Sequence, residues 1–175
     1  MKFMAISGSL RKTSLNTMLL RAMSRLAPSD VSIVLFTDLG NLPQFNPDID
    51  IDEVPAVAAF RAELLAADAV LIASPEYAHG VSGPMKNALD WMVGCEAFVN
   101  KPVALFNTSP RAFHAYAALK GTLIVMSAHV IEKASISVPL LGSGLNEESL
   151  MADPTISPML VQALKAVCSA VNHRY

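Results

Sequence analysis

The run Ala69-Val70-Leu71-Ile72-Ala73 limits the available folds more than any other part of the chain, because it is wholly apolar with no alternation. A strand with one wet face alternates in polarity, whereas a strand covered on both faces reads as continuous apolar sequence. The run is of strand length and is bounded by turn-forming residues, so it predicts a central strand of a parallel sheet. Residues 2–6 and 103–107 carry the same signal, and residues 31–36, rich in branched side chains, predict a further strand.

Segments of helical period lie between these runs. Residues 15–26 place Leu15, Met18, Leu19, Ala22, Met23 and Leu26 on one face. Residues 54–67 form a second helix with a polar edge, and residues 83–93 a third that opens on Gly83-Pro84, since proline suits a first helical turn. Residues 112–127 predict a helix weakened by Gly121, residues 130–138 a strand of alternating character, and residues 157–172 a final helix. Residues 37–52, with Gly40, Pro43, Pro47 and four aspartates, read as a long loop, and residues 141–155 as irregular chain around Gly142, Gly144 and Pro154. Strand and helix alternate five times, and right-handed crossovers turn that order into a doubly wound, five-stranded parallel sheet in three α/β/α layers. The 175 residues contain no repeat or linker and are expected to form one domain, residues 1–175.

Composition narrows the function. The net charge is −2 with no basic stripe, which argues against nucleic acid as a partner. No stretch of about 18 residues is apolar and free of charge, so no membrane span is expected. The start of the chain lacks the pattern of a signal peptide, and Cys95 and Cys168, far apart in sequence, read as reduced thiols; both suggest the cytoplasm. Apolar residues make up 53% and charged residues only 16%, too few charges to cover a lone monomer, so a homodimer or homotetramer is expected.

In doubly wound sheets ligands bind at the carboxyl ends of strands near the switch point. Three loops therefore matter. The first, residues 7–16, reads Ser-Gly-Ser-Leu-Arg-Lys-Thr-Ser-Leu-Asn and runs from a buried strand into a helix. A helix start offers free amides and a positive dipole end to an anion. Ser9, Ser14 and Asn16 can donate to phosphate oxygens, Arg11 can add a charge-assisted contact, and Gly8 lets the chain turn tightly. Thr13 or Ser14 would serve equally as a helix cap. The spacing fits neither a dinucleotide fingerprint nor a Walker loop, and the many short polar side chains suggest a terminal phosphomonoester.

The second loop, residues 74–82, offers Pro75 to stiffen the strand exit, Tyr77 as a flat apolar face, and Gly80 for close approach of backbone to a ring. Glu76 suits a structural or subunit contact better than catalysis. His79 has no partner at metal-ligand spacing and is read as a rim residue, and Trp91 as a packing residue.

Gly-Ser-x-Arg-x-x-Ser-x-Asn after the first strand, with Ser-Pro-Glu-Tyr-x-x-Gly-x-Ser-Gly-Pro-x-Lys-Asn-Ala-x-Asp-Trp after the third, resembles the NADPH-dependent FMN reductases, a family that includes quinone, azo-dye and chromate reductases. The segment Leu42-Pro43-Gln44-Phe45-Asn46 also fits that family. The resemblance implies a flavodoxin-like fold. It further implies FMN as cofactor, NADPH or NADH as electron donor, and a small-molecule electron acceptor of quinone type. It assigns Ser9, Arg11, Ser14 and Asn16 to the FMN phosphate, and Pro75, Glu76, Tyr77 and Gly80 to the isoalloxazine ring. A flavodoxin-like electron carrier and a non-catalytic flavin-binding protein are the alternatives. The carrier needs an acidic docking face, which a charge of −2 does not supply.

The third loop departs from the family pattern. Ser109 and Pro110 match, and Ser109 joins the expected site. Arg111, Phe113, His114 and Tyr116 follow where relatives carry a glycine-rich turn. Such a loop would narrow the pocket, or set Arg111 against negative charge on reduced flavin or on an acidic substrate, or weaken flavin binding; alternatively it starts a helix whose side chains face solvent.

Overall fold

The structure is a computed structural model that describes residues 1–173. Eight strands and six helices follow one another in the order β1 (Lys2–Ser7), α1 (Leu15–Leu26), β2 (Ser32–Phe36), α2 (Pro55–Ala66), β3 (Ala69–Ala73), β4 (Glu76–Tyr77), β5 (Gly80–Val81), α3 (Gly83–Met92), β6 (Pro102–Asn107), α4 (Phe113–Val125), β7 (His129–Val130), β8 (Ile136–Ser137), α5 (Glu147–Ala152) and α6 (Ile156–Asn172). The main sheet runs β2-β1-β3-β6, with β7 and β8 both beside β6, and every pairing in it is parallel. This is the order of a flavodoxin-like sheet, whose switch point lies between β1 and β3.

Alternation along the central strands builds two cores. Phe3, Ala5, Leu71 and Phe106 face α1 and α6, while Met4, Ile6, Ile72 and Leu105 face Phe60 of α2, Trp91 of α3 and Leu123 of α4. All five residues of β3 are buried, as its unbroken apolar sequence requires. Ser7 is level with Ala73, and Ala73 with Phe106, so three strands end together and deliver their loops to one edge.

Three segments differ from the sequence expectation. The fifth strand, expected over 130–138, is two short pieces separated by a turn in which Ala134 and Ser135 bond back to Ile131. Ser135 Oγ fills the gap by accepting from the Leu105 amide at 3.1 Å, so β6 keeps its partner where the strand is broken. The irregular stretch 141–155 contains α5, held by reciprocal bonds between Asn146 and Ser149. The second loop folds into the β4–β5 hairpin, whose turn residues Ala78 and His79 both have positive φ, 48° and 60°. Two central residues of that hand define a type I′ turn, normally given to Asn and Gly. Among the described residues, no helix is long and apolar enough to cross a membrane.

Candidate functional site

The three loops enclose a cleft of about 330 Å³ at the carboxyl edge of the sheet. The first loop lines it with Ser9, Arg11, Thr13, Ser14, Leu15 and Asn16. Ser14 begins α1, and its Oγ accepts from the Thr17 amide at 3.2 Å, so the capping role expected for this position is realised. The amides of Leu15 and Asn16 precede any intrahelical acceptor and point to the open end of the helix. Asn16 is buried, and its Oδ1 accepts from Thr108 Oγ1 at 3.1 Å, which fixes the side chain and leaves its amide hydrogens as donors. Arg11 is exposed and its guanidinium has no acid partner among the described residues.

Close packing holds the first and second loops together. Ser82 Oγ donates to the Gly8 carbonyl at 2.6 Å, Ser74 Oγ lies 3.3 Å from Ser82 Oγ, and the Gly8 amide donates to the Ala73 carbonyl at 2.9 Å. From the second loop Ser74, Pro75, Glu76 and Tyr77 reach the cleft. Tyr77 is 53% exposed and presents its ring there. Gly80 stands opposite Tyr77 in the hairpin but does not line the cleft.

Glu76 joins the second loop to the third. Its Oε2 accepts from the Ala115 amide at 2.8 Å and its Oε1 lies 3.1 Å from His79 Nδ1. The residue before α4 is Ala112, which supplies no side-chain cap, so Glu76 caps α4 from another element. The Ala115 N–H holds the Glu76 carboxyl below the usual glutamate range; burial opposes this, and His79 adds to it. The His79 ring in turn meets His114 edge-on at 4.5 Å, so both histidines sit at the rim. These contacts tie the second loop to the start of α4.

The third loop contributes Asn107, Thr108, Ser109, Arg111 and Ala112. The Ser109 amide donates to Asn107 Oδ1 at 3.0 Å, and Asn107 Nδ2 donates to the Ala112 carbonyl at 3.2 Å, so one buried asparagine shapes the turn. Phe113 and His114 are exposed, Tyr116 packs against the core, and Arg111 lines the cleft. Leu141 completes the wall. It arrives through a long-range contact, its amide donating to the Thr108 carbonyl at 3.2 Å. No local sequence signal marks Leu141 as a site residue. Asn107 and Thr108 were within reach of sequence reasoning, since Asn107 ends the fourth long strand and Thr108 follows it. Trp91, as expected, packs inside the molecule; its Nε1 donates to the Pro43 carbonyl at 2.8 Å and its ring meets Phe45 edge-on.

The fold is that of a flavodoxin-like flavoprotein, with a cleft at the carboxyl edge of its sheet. The chain belongs to the NADPH-dependent FMN reductase family, whose pattern it matches over residues 1–140. It is therefore an oxidoreductase that uses FMN and a nicotinamide donor. It is 32% identical over 172 residues to an NAD(P)H-dependent FMN reductase of Pseudomonas aeruginosa, covering 95% of this chain and 92% of that protein. It is 40% identical over 112 residues to a 2-hydroxy-1,4-benzoquinone reductase of a Burkholderia species, covering 62% of this chain and 61% of that protein. Among solved structures, the flavoenzyme NAD(P)H:(acceptor) oxidoreductase FerB of Paracoccus denitrificans superposes with a TM-score of 0.80 at 28% identity, covering 98% of this chain and 97% of that one.

Proposed function

We propose that the cleft holds FMN with its phosphate in the first loop and its ring against the second and third, and that the protein passes electrons from NADPH or NADH to a small quinone-like acceptor. The carrying observation is the composition of the first loop. One unpaired guanidinium, the hydroxyls of Ser9, Thr13 and Ser14, the Asn16 side-chain amide and two helix-start amides converge on one cleft wall. That donor set suits a doubly charged phosphomonoester. Pro75, Tyr77 and Ser109 stand along the remaining wall as neighbours for the ring, and Glu76 holds the two ring-side loops in register. Gly80 contributes by shaping the hairpin that carries Tyr77.

Bound FMN supplies the hydride chemistry. The protein's own residues bind and orient. Arg11 and the α1 start fix the phosphate end, Asn16 is locked by Thr108, and the open mouth beside Tyr77 admits donor and acceptor in turn. The same reading takes residues 1–175 as one FMN-binding domain, supported by two apolar cores on the two faces of one sheet. It also places the protein in the cytoplasm as a homo-oligomer, in keeping with its two free thiols and its exposed apolar side chains.

The test is to purify the protein, identify any flavin released on denaturation, and follow NADPH oxidation with a quinone. Arg11→Ala should weaken FMN by about 1.5–3 kcal/mol, the cost of a lost charged hydrogen bond. An unchanged FMN dissociation constant removes Arg11 from the site.

A further inference from the structure

Arg21, Arg25 and Arg61 are each paired with a carboxylate. The other two arginines among the described residues, Arg11 and Arg111, have no acid partner, and both line the cleft. The single carboxylate on the cleft wall, Glu76, has one oxygen on the Ala115 amide and the other beside His79, so it neutralises neither arginine. Two uncompensated guanidinium groups thus face one concave surface in a protein whose net charge is −2. Such a cleft concentrates field and draws anions.

The phosphate end accounts for one of the two. Arg11 stands in the first loop with the α1 helix start and the serine hydroxyls, and this cluster already balances a phosphomonoester. Arg111 stands in a different loop, after β6, and the cleft it lines is also lined by Tyr77, which is 53% exposed, and Leu141, which is 49% exposed. Its backbone is tied down, since the Arg111 amide donates to Ser109 Oγ at 3.4 Å, while its side chain is uncommitted. An uncommitted guanidinium lining the same cleft as a flat phenol ring and an aliphatic side chain suits a planar ligand that carries a negative charge at its edge.

We propose that Arg111, Tyr77 and Leu141 form the acceptor subsite, and that Arg111 makes the enzyme prefer planar acceptors bearing an anionic oxygen, such as ionised hydroxyquinones, over neutral quinones of the same shape. This rests on the reading that FMN occupies the cleft. Arg111 acts by binding alone. In the overall reaction the nicotinamide gives a hydride equivalent and is oxidised, the quinone takes it with a proton from solvent and becomes the quinol, and Arg111 exchanges neither proton nor electron.

The test compares 2-hydroxy-1,4-benzoquinone, a vinylogous acid ionised at neutral pH, with 2-methoxy-1,4-benzoquinone, which matches its shape and cannot ionise. The quantity read is the ratio of kcat/KM for the two acceptors in the FMN-loaded protein at saturating NAD(P)H. Arg111→Ala should lower that ratio about tenfold, the low end for a charge-assisted bond at an exposed position. Arg111→Lys should keep most of it, and added salt should shrink the difference between wild type and Arg111→Ala. An unchanged ratio overturns the proposal. So does a loss shared equally by both acceptors together with weaker FMN or slower flavin reduction, which would set Arg111 on the flavin or the nicotinamide. A wild-type protein that binds no FMN, or oxidises no NAD(P)H with either quinone, overturns the reading of the cleft itself and is recognised before any variant is made.

Discussion

A methyl group at Gly8 would lie 2.8 Å from Ser82 Oγ and 2.9 Å from Ser74 Cβ, closer than real side chains approach. Ser82 cannot yield freely, because its hydroxyl holds the Gly8 carbonyl at 2.6 Å and is fully buried. The glycine is thus needed for space between two loops rather than for an unusual backbone angle. Gly8→Ala should destabilise the protein by about 1–3 kcal/mol, the usual range for forcing a methyl into packed surroundings. Urea unfolding would show it, and an unchanged midpoint would mean that the first loop moves aside without cost. The need for glycine here was legible as a tight turn after the first strand. Its reason was not, since Ser74 and Ser82 approach only when the chain is folded. Arg11 and Arg111 show the same limit: their residue type could be read from sequence, but their shared lack of an acid partner could not.

Among the elements, α4 depends on a residue outside itself. Glu76 caps it across a separation of 39 residues and, through His79, also braces the β4–β5 turn. Because the native carboxyl titrates below its ordinary value of about 4.3, the unfolded chain binds the proton more readily. The stabilisation from this contact is therefore complete above that ordinary value and is lost as the pH falls through the lowered one. Glu76→Gln should be less stable than wild type at neutral pH, and the two unfolding midpoints should converge as the solution is acidified. A gap that stays constant with pH would show that the charge of Glu76 contributes nothing. Long elements were legible because apolar spacing alone specifies them; α1 is found over the residues its spacing predicts. Short ones were not. The six residues of α5 depend on a cap between Asn146 and Ser149, and β4 and β5, at two residues each, are too brief for any period to register. The broken fifth strand reads as continuous in sequence because Ser135 stands in for the missing ladder partner only in three dimensions.

At the scale of the whole molecule, the cleft and one group of exposed apolar side chains lie at opposite ends of the sheet. The cleft gathers at the carboxyl ends of the strands, while Val125, 86% exposed, lies near Val99 at the other end, where the Asn100 amide donates to the Ser127 carbonyl. Leu65 joins them, since Lys101 Nζ donates to its carbonyl. Self-association through this apolar end would leave the cleft open. Sedimentation at micromolar concentration should give a mass above that of the 18.7 kDa chain, and Val125→Asp should lower it. A wild-type mass equal to one chain removes the idea. The fold as a whole was legible because a doubly wound sheet announces itself by apolar runs between amphipathic ones, and the location of the cleft followed from topology alone.

The divided strand beside β6 bears on how this protein behaves when crowded or partly unfolded. An unpaired sheet border is a template for foreign strands, and sheets protect such borders by keeping them short or irregular. On the β7–β8 side the border comes in two-residue lengths with a turn between them, so an incoming chain finds no continuous row of donors and acceptors to copy. The five residues of β2 form the longer border, and that is the side from which fibrous aggregation would have to start.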